Sequence, residues 1–206
     1  EIMPSLVGSE MCIRDRVGMQ PIDVDKQYHF FNPRAGVSYT LAERNNFYLS
    51  FAVAQKEPTR SDFTDRYKFA ADDTYPSSEK LYDWELGYQY TAPRLSLGVN
   101  LYYMKYKDQL VPTGMVNDDS NALNTNVPDS YRRGVELSAS WRATGWFTVG
   151  ANATFSQNRI ENYVDALKDS PTYGKELGDM TIAYSPDVIA NAFLNFHHRG
   201  FEAVFH

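Results

Sequence analysis

Long apolar runs are missing from this sequence. No stretch approaches the ~18 residues of a transmembrane helix, so a helical membrane span is excluded. Cysteine is nearly absent as well: the single Cys12 cannot build an internal disulfide framework and offers no cysteine-based metal site. Basic charge is in short supply. The 20 Lys and Arg stand against 26 Asp and Glu, a net charge of -6, which argues against a nucleic-acid partner that would want a basic face. Catalytic signatures are lacking too, with no GxSxG, P-loop or dinucleotide motif. His197 and His198 are adjacent, so on a strand they face opposite sides and cannot hold one metal together. Asp72-Asp73 and Asp118-Asp119 are not followed by the spacing of a calcium loop. No enzyme, no metal and no cofactor is expected.

Aromatic residues are what the chain has in quantity. They make up 15% of the 206 residues, with 15 Tyr and 12 Phe, beside many small polar residues, and that mixture suits pleated structure. The mean hydropathy of -0.49 is polar. That does not exclude a membrane-spanning barrel, in which only every second residue meets lipid.

From Ala35 onward the sequence alternates with a period of two. Leu95, Leu97, Val99, Leu101 and Tyr103 interleave with Ser96, Gly98, Asn100 and Tyr102. Phe147, Val149, Ala151, Ala153 and Phe155 interleave with Thr148, Gly150, Asn152 and Thr154. Similar runs cover residues 35–41, 47–54, 82–90, 134–141 and 188–196, and no charged residue falls on their apolar faces. The polar faces carry mostly Ser, Gly, Asn, Thr and Gln, with Glu85 and Glu136 among them, as expected of a water-filled or plugged lumen.

Tight turns at residues 42–46, 92–94, 143–145 and 199–200 alternate strictly with long polar stretches at 56–80, 111–130 and 161–186. An all-β, antiparallel, up-and-down transmembrane barrel has this pattern, with its short turns at one end and long loops outside the cell. About eight strands are expected, which is an incomplete part of a larger barrel. Trp84, Tyr88, Tyr90, Trp141, Trp146 and Phe147 are predicted to form an interfacial belt near the tight turns. Residues 1–16 (EIMPSLVGSEMCIRDR) carry no pattern that leads into the rest. They resemble translated sequencing-adapter read-through, the alternative being a disordered tail. Residues 17–206 are then a barrel part truncated at both ends, without a plug domain.

Two blocks carry a family resemblance. One is Asn32-Pro-Arg-Ala-Gly-Val-Ser-Tyr39 with Phe47-Tyr-Leu-Ser-Phe51 and Glu57-Pro-Thr-Arg-Ser-Asp62; the other is Ser130-Tyr-Arg-Arg-Gly-Val-Glu-Leu137 running through Trp146 to Asn158. Together they resemble consecutive barrel segments of TonB-dependent outer-membrane receptors, in a style similar to those of Bacteroidetes-type bacteria. The resemblance implies a bacterial outer-membrane location and contact with outer-membrane lipid. It also implies a barrel of about 22 strands around a plug. Uptake of a nutrient, such as a ferric siderophore or haem complex, would be driven by a TonB-type energy-coupling protein acting on that missing plug.

In such a receptor the outer loops hold the ligand. Arg60, Phe63, Arg66, Tyr67, Lys68 and Tyr75 mix cations and aromatics in the first long stretch, with Arg132 and Arg133 at a strand rim. That mixture suits an anionic, aromatic-rich ferric siderophore. It is equally what a loop folded on itself would carry, with Arg60 paired to Glu57 or Asp62. Two other functions remain open from sequence: a plug-less outer-membrane channel or structural barrel, and a secreted β-sandwich carbohydrate-binding module.

Overall fold

The computed structural model describes residues 5–17, 20–64, 75–116, 122–165 and 170–206. The described elements, in chain order, are β1 (Ser5–Val17), β2 (Gln20–Asn32), β3 (Arg34–Leu41), β4 (Asn45–Lys56), α1 (Arg60–Thr64), β5 (Glu79–Thr91), β6 (Leu95–Val116), β7 (Ala122–Arg142), β8 (Phe147–Ile160), β9 (Met180–Thr181), β10 (Val188–His198) and β11 (Phe201–Phe205). Strands β3 to β8, then β10 and β11, lie side by side in chain order as one antiparallel sheet, and β9 adds to the end of β8. The continuous path therefore holds eight strands and ends at β3 and β11. β1 and β2 form a separate two-stranded hairpin. Pro33 parts β2 from β3; having no N–H, it offers only its carbonyl, which accepts from Val53 N at 2.8 Å.

Alternation explains why this sheet stands without a conventional core. Along β6, Leu97, Val99 and Leu101 are exposed while Ser96, Gly98 and Asn100 face the other way. The same holds for Leu49 on β4, Leu86 on β5 and Leu137 on β7, which are 52%, 51% and 40% exposed. A continuous apolar face of this size needs an apolar environment. Among the described residues no second sheet covers this apolar face, and the open antiparallel sheet replaces the β-sandwich reading. Each apolar run covers about nine residues, the length that crosses a bilayer when a strand tilts by about 45°.

On the opposite face, glycines sit beneath aromatic rings. Gly87 pairs with Tyr48, Gly134 with Tyr102 and Gly150 with Phe193. A Cβ at Gly87 would lie 2.0 Å from Tyr48 Cζ, and one at Gly150 would lie 2.3 Å from Phe193 Cε1. The rings thus lie flat on the wall because the partner has no side chain.

Two expectations need correction. Residues 111–116 and 122–130 are not loop: β6 and β7 run on for 22 and 21 residues and pair as a ribbon beyond the sheet. Asp108, at φ 53°, breaks the alternation there, so that Ser130 Oγ donates to Gln109 Oε1 at 2.6 Å. Val111 and Val127 then turn inward and pack with Ile160 and Ile182, forming a small closed core. The second correction concerns Trp84, which lies away from the tight turns. Its ring meets Phe51 and Tyr103, and Tyr103 in turn meets Tyr131, making a girdle at the opposite end of the spanning segment. Phe47 with Tyr88, and Trp146 with Phe147 and Phe196, form the girdle near the turns.

Candidate functional site

The polar face of β4 to β8 is built in rows set by the register. Asp83, Met104, Arg132 and Asn158 form one row; Glu85, Tyr102, Gly134 and Ser156 form the next; Tyr48, Gly87, Asn100, Glu136 and Thr154 form the third. Three carboxylates thus share the face with Arg132. Asn100 Nδ2 donates to Glu136 Oε2 at 3.3 Å. Arg132 Nη1 donates to Ser185 Oγ at 3.2 Å, and its guanidinium lies 5.9 Å from the Tyr106 ring. Asp83 Oδ1, Asn100 Oδ1 and Arg132 Nε are buried without a hydrogen-bond partner among the described residues. Buried polar atoms left this way are costly, so the wall is chemically suited to meet further polar groups.

A second assembly forms at the long-loop end. At the start of α1, Asp62 Oδ2 accepts from both Thr59 N and Thr59 Oγ1 at 2.7 Å, and Asp62 N donates to Thr59 O at 3.1 Å, so the carboxylate ties down the residue that precedes the helix. The other carboxylate oxygen of Asp62 accepts from Asn124 Nδ2 at 2.9 Å, fastening α1 to β7. Asn126 repeats the connection, accepting from Ser77 N at 2.9 Å and donating to Ser77 O at 3.1 Å. Phe63 is fully buried, and Tyr75, 42% exposed, lies against it with ring centroids 6.0 Å apart. Lys26, from β2, places its ammonium 5.8 Å from Phe63 and 5.3 Å from Tyr75. This brings a cation and an aromatic pair together, and the cation comes from β2, not from the segment that carries the rings.

The residues singled out from sequence therefore separate. Phe63 and Tyr75 are together, with Phe63 as the floor, and Arg60 is exposed at the start of α1. Arg66, Tyr67 and Lys68 lie outside the described residues. Arg132 and Arg133 are adjacent but point to opposite faces: Arg132 to the polar wall, Arg133 to the apolar side, where its Nε and Nη2 donate to Gln157 Oε1 at 2.9 and 2.6 Å. Sequence reasoning missed Lys26, Asn124 and Asn126. The Asn-x-Asn spacing on one face of an alternating strand is the signal that could have found the two asparagines.

Outside the spanning segment, just past the Tyr103–Tyr131 girdle, Lys105 pairs with Asp129 at 2.9 Å and with Glu161, and Lys107 pairs with Asp129 at 2.5 Å. Burial alone would raise the Asp129 carboxyl, but hydrogen bonds and charge from Lys107 and Lys105 outweigh it and hold it below its usual range. For Lys105 burial acts to lower the ammonium, and the bonds to Glu161 and Asp129 overcome it, raising it.

Comparison with known proteins sets these surfaces in context. The family model for the TonB dependent receptor-like β-barrel matches residues 14–204. No curated protein sequence matches. Among solved structures, the copper transporter OprC is similar at 16% identity, over 98% of this chain and 30% of its own, with a TM-score of 0.74. The siderophore receptor PiuA from Acinetobacter baumannii is similar at 14% identity, over 95% of this chain and 28% of its own, with a TM-score of 0.63. The ferric-catecholate import receptor Fiu from E. coli K12 is similar at 19% identity, over 92% and 26%, with a TM-score of 0.59. The chain thus spans less than a third of the length of these structures.

Proposed function

From a chain that belongs to the TonB-dependent receptor-like β-barrel family, a family of the bacterial outer membrane, we propose a part of a receptor that imports a ferric siderophore or haem complex. The family is one of transport receptors, not of enzymes, so the cargo passes through without covalent change. The observation that carries the cargo class is the aromatic pair Phe63–Tyr75 with Lys26 over both rings, at the long-loop end of the strands. Barrels of this kind expose their long loops to the outside. A cation beside exposed aromatic surface suits a ferric complex that is both anionic and aromatic. Arg60 extends that surface, and we assign Arg66, Tyr67 and Lys68 to it by their place in the same segment. Arg132 would meet cargo or plug within the lumen, whereas Arg133 faces outward and takes no part in gripping cargo.

Coupling would be supplied by a TonB-type protein through a plug domain that is not in this sequence. The buried, unpartnered Asp83, Asn100 and Arg132 atoms support a plug facing this wall, since they need polar partners. We further propose that the barrel part runs from 17 to 206 and that residues 1–16 are extraneous to the native protein, a boundary three residues inside the start of the family match and within β1, which pairs with β2. The genomic locus read through this region tests that boundary directly.

Uptake of radiolabelled ferric catecholate or haem by cells carrying the intact receptor tests the function. Accumulation that requires the energy-coupling protein, and falls with Lys26→Ala/Tyr75→Ala, is the expected result. Uptake unaffected by loss of the coupling protein would instead support a passive channel.

A further inference from the structure

Each tight turn brings one arginine to the same end of the sheet, and the uptake reading uses none of them. Arg44 lies between β3 and β4, Arg94 lies between β5 and β6, Arg142 ends β7, and Arg199 lies between β10 and β11. These hairpins are neighbours, so the arginines form a row at steps of about 10 Å, two strand spacings each. Backbone bonds fasten every turn to the next: Thr91 N donates to Arg44 O, Arg142 N to Arg94 O, and His197 N to Trp146 O, all at 2.8 Å. Arg199 holds φ at 47° in a two-residue turn with Gly200, where asparagine or glycine fits more easily. All four arginines are exposed, and none makes an ion pair or side-chain hydrogen bond among the described residues. The described residues place only two carboxylates at this end, Glu43 and Glu202, and Glu202 already accepts from Asn195 Nδ2 at 3.2 Å. The rim is thus basic on a chain whose net charge is -6.

We propose that Arg44, Arg94, Arg142 and Arg199 form a docking rim for the acidic face of a protein partner in the periplasm. The short turns of a barrel in the outer membrane point that way. Four cations in a row of about 30 Å suit a partner that presents carboxylates along an edge. Each guanidinium can grip a carboxylate with two parallel N–H groups. The fastened turns fix where the cations are rooted, so less order is lost on binding. A lipid phosphate is the rival anion, and the register disfavours it. Arg142 pairs with Thr148 on the lumen side, while Trp141 and Val149 beside them face lipid. Arg94 precedes the lipid-facing Leu95 and so falls on the lumen side of the alternation as well. Both belong to the mouth of the barrel, where a protein can reach them and a bilayer lipid meets the opposite face. The inference rests on the placement of the strands in the outer membrane and not on the identity of the cargo.

Fluorescence anisotropy of a labelled oligoglutamate, titrated with the intact receptor in nanodiscs of neutral phosphatidylcholine, tests it. A probe of roughly twelve residues, at about 3.3 Å per residue, is long enough to span the row. Wild type should bind it, more weakly as salt rises, and should ignore an oligoglutamine of the same length. The variant Arg44→Gln/Arg94→Gln/Arg142→Gln/Arg199→Gln should lose about thirtyfold in affinity, a little over twofold for each exposed pair. Lysine at the same four positions should keep most of the binding. Lys80→Gln/Lys175→Gln, at the other end of the strands, should change nothing. Native mass spectrometry with phosphatidylglycerol supplies the lipid arm, in which the glutamine variant should retain as much lipid as wild type. Undiminished oligoglutamate binding by a folded glutamine variant would overturn the proposal, as would equal binding of oligoglutamine. Loss of phosphatidylglycerol with oligoglutamate binding unchanged would assign the rim to lipid and overturn it too.

Discussion

The two ends of these strands solve the problem of apolar burial in opposite ways. Through the spanning part, Val99, Leu101 and Leu137 remain open to the surroundings, and nothing among the described residues covers them. At the long-loop end, Val111, Val127, Ile160 and Ile182 close on each other at 2 to 6% exposure, as in any water-soluble core. One sheet thus changes solvent along its length. Lipid replaces the core in the first region, and the chain supplies its own in the second.

The comparison can be broken at several points. Val99→Arg, in the intact barrel refolded into lipid vesicles, should cost about 2–4 kcal/mol in denaturant unfolding. Asn100→Arg should cost little, because Asn100 lies on the polar face beside Glu136. Equal losses at the two positions would end the two-solvent account. Val127→Ala should cost about 2 kcal/mol from two lost methyl groups and the space they leave. That loss should appear as faster amide exchange in the ribbon and the 161–182 segment, with the spanning strands unchanged. Gly87→Ala should destabilise by about 1–3 kcal/mol, because the new methyl meets the Tyr48 ring. The pair Gly87→Ala/Tyr48→Ala should recover part of that loss, a departure from additivity that a thermal scan can read.

The smallest effect belongs to the charges at the boundary. Asp129 is held below its unfolded value, so its contribution is present above that value and fades as pH falls through the lower folded one. Lys105 is raised, so its contribution holds at ordinary pH and is lost as pH rises through its folded value. Both groups are partly exposed, and pairs of this kind give about 0–1 kcal/mol. Unfolding midpoints should therefore be nearly flat from pH 5 to 9, and Asp129→Asn should remove any small dip in acid.

What was legible in the sequence follows from the same division. Where lipid and lumen lie on either side of a strand, chemistry alternates residue by residue, and β3 to β8 and β10 could be read directly. The ribbon of β6 and β7 was hidden because Val111 and Val127 find their partners in Ile160 and Ile182, far away in sequence. Trp84 was assigned to the wrong girdle because height in a tilted sheet depends on register with neighbours, not on distance from a turn alone. At the site, Phe63 and Tyr75 were visible as aromatics, but composition cannot say which ring is buried. Lys26 was invisible because a different strand delivers it.

Fluorescence quenching by brominated lipid chains tests the central claim most directly. In a background with any cysteine of the intact receptor replaced by serine, a probe attached at Val99→Cys or Leu101→Cys of the vesicle-embedded receptor should be quenched strongly. The same probe at Asn100→Cys should be quenched little. Equal quenching at positions 99 and 100 would contradict a sheet with lipid on one face and an aqueous interior on the other.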